Sequence, residues 1–145
     1  MYSAEIIKHL AKLIQGDETS RVWLQKNNFP ELILLAYAVD GNDPALIELT
    51  KQKQVDLVAF THAVLDDKRA FNWLAQNKKF ILAARVRVTY GDKGAEAWLA
   101  RNNYHHFIEL GRAIKKNEDE QAADDVVGLM KKFINIFKNP YKPKL

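Results

Sequence analysis

Apolar residues in this chain recur at three- and four-residue spacing instead of alternating, a pattern that predicts helices and no strands. Some stretches, such as Leu32-Ile33-Leu34-Leu35 and Ile81-Leu82-Ala83-Ala84, are apolar almost all round. A helix of that kind is buried on most sides. The pattern also returns on itself. Trp23-Leu24, Trp73-Leu74 and Trp98-Leu99 share a pair, and Asn27, Asn77 and Asn102 each follow the Trp by four residues.

Divided every 25 residues from Glu18, the chain falls into four gapless units, 18–42, 43–67, 68–92 and 93–117. The seventh position then reads Leu24, Leu49, Leu74, Leu99, and the third reads Ser20, Ala45, Ala70, Ala95. The sixth reads Trp23, Glu48, Trp73, Trp98, so the second unit departs there. Every unit boundary carries an Asx residue: Asp17, Asn42, Asp67, Asp92 and Asn117. Gly16, Gly41 and Gly91 stand before three of them. Glycine ends helices in the left-handed conformation, and an Asx side chain caps the next helix by accepting from an orphan N–H. Each unit thus reads as a first helix of about nine residues, a tight turn, and a second of about eleven. The Asn at the tenth position, with Asn28 or Asn103 beside it, suits a left-handed break between them.

Helices shorter than roughly 12–15 residues are marginal alone in water, so these must be stabilised by stacking. Residues 1–17 read as a half-unit helix carrying Ile7, Leu10 and Ile14. Residues 118–138 read as a longer amphipathic helix that closes the stack, and 139–145 as a basic tail. The expectation is one domain over 1–145: all-α, a right-handed superhelix of about four 25-residue helix pairs with a helix at each end. This arrangement resembles the α-solenoids, the group of armadillo, HEAT and tetratricopeptide repeats, in architecture alone. The resemblance implies a non-enzymatic scaffold or adaptor that binds a protein or peptide; some HEAT-like relatives bind nucleic acid instead.

Composition narrows the chemistry. The 145 residues are 48% hydrophobic and 28% charged, a globular balance, and contain no cysteine. Disulfides, zinc knuckles and thiol nucleophiles are excluded. No apolar run approaches the roughly 18 residues of a membrane span. Glu5, Lys8, His9 and Lys12 interrupt the N-terminal apolar residues, unlike a signal peptide, and a cytoplasmic location is expected. No nucleotide-loop or metalloprotease motif occurs. His105 and His106 are adjacent, so a regular helix cannot aim both at one metal. The acidic residues of 118–125 read as complements of a helix dipole. No catalytic residue, metal or cofactor is expected, and no oligomeric state is assigned.

Two features suggest a binding surface. The twentieth position of the second helices reads Lys12, Tyr37, His62, Arg87, Arg112. With neighbouring helices about 8–10 Å apart, these form a polar ladder of roughly 40 Å. Net charge is also uneven: −4 over 1–67, +8 over 68–117 and zero over 118–145. An acidic protein or peptide partner is expected, through Tyr37, His62, Arg87 and Arg112 with Arg85 and Tyr90 nearby; the alternative is nucleic acid on the basic surface of 68–117. The same ladder also reads as the plain solvated stripe of each inner helix. Arg85 falls in a position otherwise filled by Leu10, Leu35, Phe60 and Leu110, and a buried guanidinium needs a partner. Glu109 is the expected one. The tryptophans are expected to fill core space between units.

Overall fold

The turns explain the fold. In the computed structural model, which describes residues 2–117, 119 and 120, α1 spans Ala4–Ile14 and is followed by α2 (Glu18–Lys26), α3 (Pro30–Val39), α4 (Asp43–Lys51) and α5 (Val55–Val64). Then come α6 (Lys68–Gln76), α7 (Phe80–Thr89), α8 (Lys93–Arg101) and α9 (105–117). From α4 onward, each helix starts 25 residues after its counterpart two helices earlier. Only three residues separate most consecutive helices, and the three are used fully. At the first turn Gln15 caps α1, Gly16 takes φ +94°, and the Asp17 N–H reaches back to the Lys12 carbonyl at 3.0 Å. The Gly16 N–H bonds the Leu13 carbonyl at 2.8 Å, completing a Schellman motif. Asp17 then opens α2 by accepting from the Thr19 N–H at 2.9 Å. One residue thus closes one helix and caps the next.

The same device recurs at Asn42, Asp67 and Asp92, whose side chains accept from Ala45, Arg69 with Ala70, and Ala95. Asp66 occupies the left-handed position where Gly16, Gly41 and Gly91 do elsewhere. The turns inside the units also use left-handed residues, and these are Asn28, Lys53, Lys78 and Asn103, the residues just after the tenth position. The tenth-position asparagines have a different task. The Nδ2 groups of Asn27, Asn77 and Asn102 donate to the Trp23, Trp73 and Trp98 carbonyls at 2.8, 2.8 and 2.7 Å. That bond gives the Asn its task, while its acceptor is a backbone carbonyl that any residue in the Trp position would offer. Gln52 replaces the Asn in the second unit, donating to Glu48 at 3.1 Å.

Burial separates the helices into two layers. In α2, α4, α6 and α8 only the third- and seventh-position residues are buried, such as Ala45 and Leu49. By contrast α3 and α5 each bury six residues and α1 and α7 five. The heavily buried helices also touch one another in succession, α1 to α3, α3 to α5 and α5 to α7. They form an inner layer; the others ride outside, each packed most closely on the inner helix before it. The core is therefore lined by leucines, with Leu24, Leu49, Leu74 and Leu99 fully buried, while the tryptophans beside them are not. Trp23 lies on His9 with ring centroids 4.0 Å apart, and Trp98 is 36% exposed.

The inner layer curls. A Cβ on Gly111 of α9 would lie 2.8 Å from the Val88 side chain, so α9 packs hard on α7. Asn117 at its far end donates to Asp40, the C-cap of α3, at 2.8 Å. His106 of α9 is close enough to Lys8 of α1 for the lysine to help hold its pKa below the usual imidazole range, burial being the larger cause. A straight row of five helices would put α3 and α9 roughly 25–30 Å apart at ordinary spacings. The inner helices instead gather round one axis, and the expected 40 Å straight ladder does not form. The closing helix expected over 118–138 and the tail lie, apart from 119 and 120, outside the described residues.

Capping and close packing lead to three expectations. Asp92→Ala removes a cap and should lower the urea midpoint of unfolding, whereas Asp92→Asn keeps most of the cap, as Asn42 shows at the equivalent position. The hydrogen bond from the Ala95 N–H holds the Asp92 carboxyl below its usual range. A carboxylate depressed in the folded state stabilises above its unfolded pKa and loses that contribution as pH falls, so Asp92→Asn should soften the acid limb of unfolding. Gly111→Ala should lower the melting temperature despite alanine's better helix propensity, because Val88 and the Arg85 carbonyl leave no room for the methyl group.

Candidate functional site

Two successive residues on a helix point about 100° apart, so one inner helix can place a core residue and an exposed residue close together in sequence. Arg85 and Arg87 of α7 lie two apart and do this: Arg87 is exposed, while Arg85 is 1% exposed. The eighteenth-position residues Leu10, Leu35, Phe60, Arg85 and Leu110 all face inward and are fully or almost fully buried. The guanidinium carbon of Arg85 sits 4.2 Å from the Phe60 ring centroid on α5 and 5.0 Å from that of Phe107 on α9. The ring quadrupoles attract the cation. They leave its N–H groups unsatisfied, and Nε and Nη1 are buried with no hydrogen-bond partner among the described residues.

The expected Arg85–Glu109 pair does not form. Leu110 points into the core, so Glu109, one residue earlier, turns outward and is exposed. Burial alone draws the Arg85 pKa down from its ordinary value to about 9. The side chain is still a cation at neutral pH.

One turn nearer the helix starts, Ile7, Leu32, Leu57, Leu82 and Phe107 form an apolar tier above Arg85. Beyond them opens a cavity of about 680 Å³, with Tyr2, Gln54, Lys79, Phe80, Trp98 and Tyr104 among the residues at its mouth. Its walls come from α1, α3, α5, α7, α8 and α9, with the starts of the inner helices at the opening. The positive ends of α5 and α7 thus lie at the mouth. Carboxylates there already have partners: Asp56 pairs with Lys79 at 3.0 Å, and the Tyr2 hydroxyl donates to Glu31 at 3.0 Å. Burial, then the Glu31 charge, push the Tyr2 phenol pKa up, so it remains a donor.

The other residues expected to bind a partner lie elsewhere. Tyr37, His62, Arg87 and Arg112 are exposed toward the opposite ends of the inner helices. Arg87 is bonded to Asp92, the N-cap of α8, and Arg112 to Glu96, its Nε donating at 2.7 Å. The Tyr90 hydroxyl donates to the Val64 carbonyl at 2.9 Å, satisfying the end of α5. Arg87 and Tyr90 share a shallow depression of about 280 Å³. Of the six residues expected to contact a partner, only Arg85 belongs to the large cavity. Its mouth residues carried no sequence signal beyond their place in the period, whereas Arg85 was visible as a cation in an apolar position. Among the described residues no helix is long and apolar enough to cross a membrane, and no group of three or more metal-ligating side chains comes together. No protein family, curated protein or solved structure matches the chain.

A buried cation with no acceptor among the described residues destabilises the fold that contains it. Arg85→Met should raise stability at pH 7 by about 1–4 kcal/mol, the range found when buried charges give way to well-packed apolar side chains. A base whose folded pKa is depressed destabilises in full below that pKa and is relieved as pH rises toward the unfolded value. The advantage of the variant in denaturant titrations should therefore be complete at pH 8 and shrink toward pH 11.

Proposed function

We propose that the chain is a non-enzymatic binding protein, a right-handed solenoid of about four 25-residue helix pairs, that holds a segment of a protein or peptide on its inner-helix face. The observation that carries this reading is the cavity: the inner helices open around one largely apolar volume, with Arg85 among the residues that line it. Ligand sites are typically of about 300–1,000 Å³, mostly apolar, with a few polar groups to orient what enters. At the mouth, Phe80 is 55% exposed and Trp98 36%. Exposed aromatics of this kind anchor partners.

The ladder supports the reading less, because Arg87 and Arg112 are already bonded to carboxylates of the chain. The same neutralisation weakens the nucleic-acid alternative. Lys79, Lys93, Lys115 and Lys116 of the basic block also have acidic neighbours within 4 Å. A phosphate contact would have to displace them, and its signature would be affinity that falls steeply with salt.

Peptides selected by display on the immobilised protein test the site. Binding should drop at least tenfold for Phe80→Asp and change less than threefold for Arg87→Glu/Arg112→Glu. The reverse order would move the site to the ladder, and a steep salt dependence of binding to a DNA or RNA duplex would favour the nucleic-acid alternative.

A further inference from the structure

We infer that the mouth of the cavity receives an acidic segment of a protein partner: an apolar side chain enters the hollow beside Phe80 and Trp98, and carboxylates next to it meet Lys53 and Lys78. This rests on the cavity being the binding site and goes on to state the chemistry of what it binds. Asp56 is the one acidic residue lining the cavity among the described residues, and Lys79 holds it at 3.0 Å. Other cations of this edge are not matched in that way. Lys78 lines the mouth, Lys53 precedes the lining residue Gln54, and Arg101 ends α8 just before the lining residue Asn102. All three are exposed, and no carboxylate lies within 4 Å of their charged groups among the described residues. At the opposite ends of the inner helices, by contrast, Arg87 and Arg112 are bonded to Asp92 and Glu96.

The backbone makes the two lysines more unusual. Lys53 and Lys78 take φ +56° and +58°, in the left-handed region, where the first and fourth units use Asn28 and Asn103. Asn enters that region more readily than Lys, because its short side chain bonds the local backbone. Local preference alone would put Asn at all four turns, yet two of them carry a cation. The starts of α5 and α7 have no side-chain cap, and their positive ends add to the same field. The shape of the mouth then selects among anionic partners. A bilayer is flat and would span the hollow without filling it. A nucleobase could lie on Phe80 or Trp98, but the wall beneath them, with Ile7, Leu32, Leu57 and Leu82, offers nothing to its polar edges. A peptide presents a protruding apolar side chain with carboxylates on its neighbours. Lysine ammonium groups are point charges on flexible stems, so they select for charge and not for one fixed geometry.

Selection from a random peptide library on the immobilised full chain tests this through the composition of what is recovered. Peptides whose binding is lost with Phe80→Ala should carry Leu, Phe or Trp flanked by Asp or Glu. A synthetic copy should bind about fivefold more weakly to Lys53→Asn/Lys78→Asn, the scale of two exposed ion pairs. That variant places Asn in left-handed turns, so its melting temperature should equal or exceed the parent's, and lost binding is then not lost structure. Selection on Lys53→Glu/Lys78→Glu should recover anchors flanked by Lys or Arg, a swap that a structural role of the lysines would not produce. Peptides that depend on Phe80 but lack acidic flanks, or that bind the Asn variant unchanged, would overturn the acidic assignment and leave the cavity as the binding site. Tighter, Phe80-dependent binding to phosphatidylserine vesicles or to oligouridine would transfer the site to a lipid surface or a single-stranded nucleic acid. Recovery of no peptide would overturn the inference together with the reading it rests on.

Discussion

A nine-residue helix has two ends and almost no middle, and everything in this structure follows from having to satisfy those ends. Four N–H and four C=O groups at the termini have no partner within a helix. In α2, α4, α6 and α8 they make up most of the backbone. The fused turn answers this with three residues: a C-cap, a left-handed residue and an Asx or other opening residue whose N–H reaches back five positions. Because the solution is so short, consecutive helices must double back, and because each helix is so short, its stability must come from its neighbours. The turn chemistry and the stacking are one constraint.

Layering follows from how many faces each helix can hide. The outer helices bury a small residue and a leucine four apart, enough for one line of contact, and their remaining faces are free to carry charge. The inner helices are hemmed in on several sides and are apolar accordingly. Their curvature brings the fifteenth- and eighteenth-position residues together about one axis, where side chains from four or five helices share the same space. At that axis a substitution is felt by several helices at once. Arg85 stands there, with Phe60 and Phe107 supplied by different helices to face it. A protein under selection for stability alone has a better residue for that place in leucine, which three of its four counterparts use.

Much of the candidate site's logic was in the sequence as an anomaly, without its meaning. Arg85 was conspicuous because Leu10, Leu35, Phe60 and Leu110 share its position, and burial followed from the period. Its pairing with Glu109 did not, because a neighbour one position away on a helix faces a different direction once Leu110 is fixed inward. The ladder residues were equally conspicuous, but periodicity reports which residues share a face and cannot report that Arg87 and Arg112 would find Asp92 and Glu96 across a turn. The tryptophans show the same limit. Their spacing was plain, yet the core went to the adjacent leucines, and the Asn four residues on bonds a backbone carbonyl that any residue in the Trp position would offer.

Helix positions, turn positions and the alternation of exposed and hidden helices were legible from the chain alone, since each depends on residues a few places apart: Asx caps, glycines at positive φ, apolar spacing. The fold class, all helical with contacts between neighbouring helices, came with them. Curvature was not legible. It depends on small differences in how α7 and α9 approach at Gly111 and Val88, accumulated over five helices, and on contacts such as Asn117 with Asp40 that span 77 residues. Whether the inner helices form an open row or gather round an axis decides which side chains surround Arg85. Local chemistry sets where the chain turns, whereas only the summed geometry of packing sets what the turns enclose.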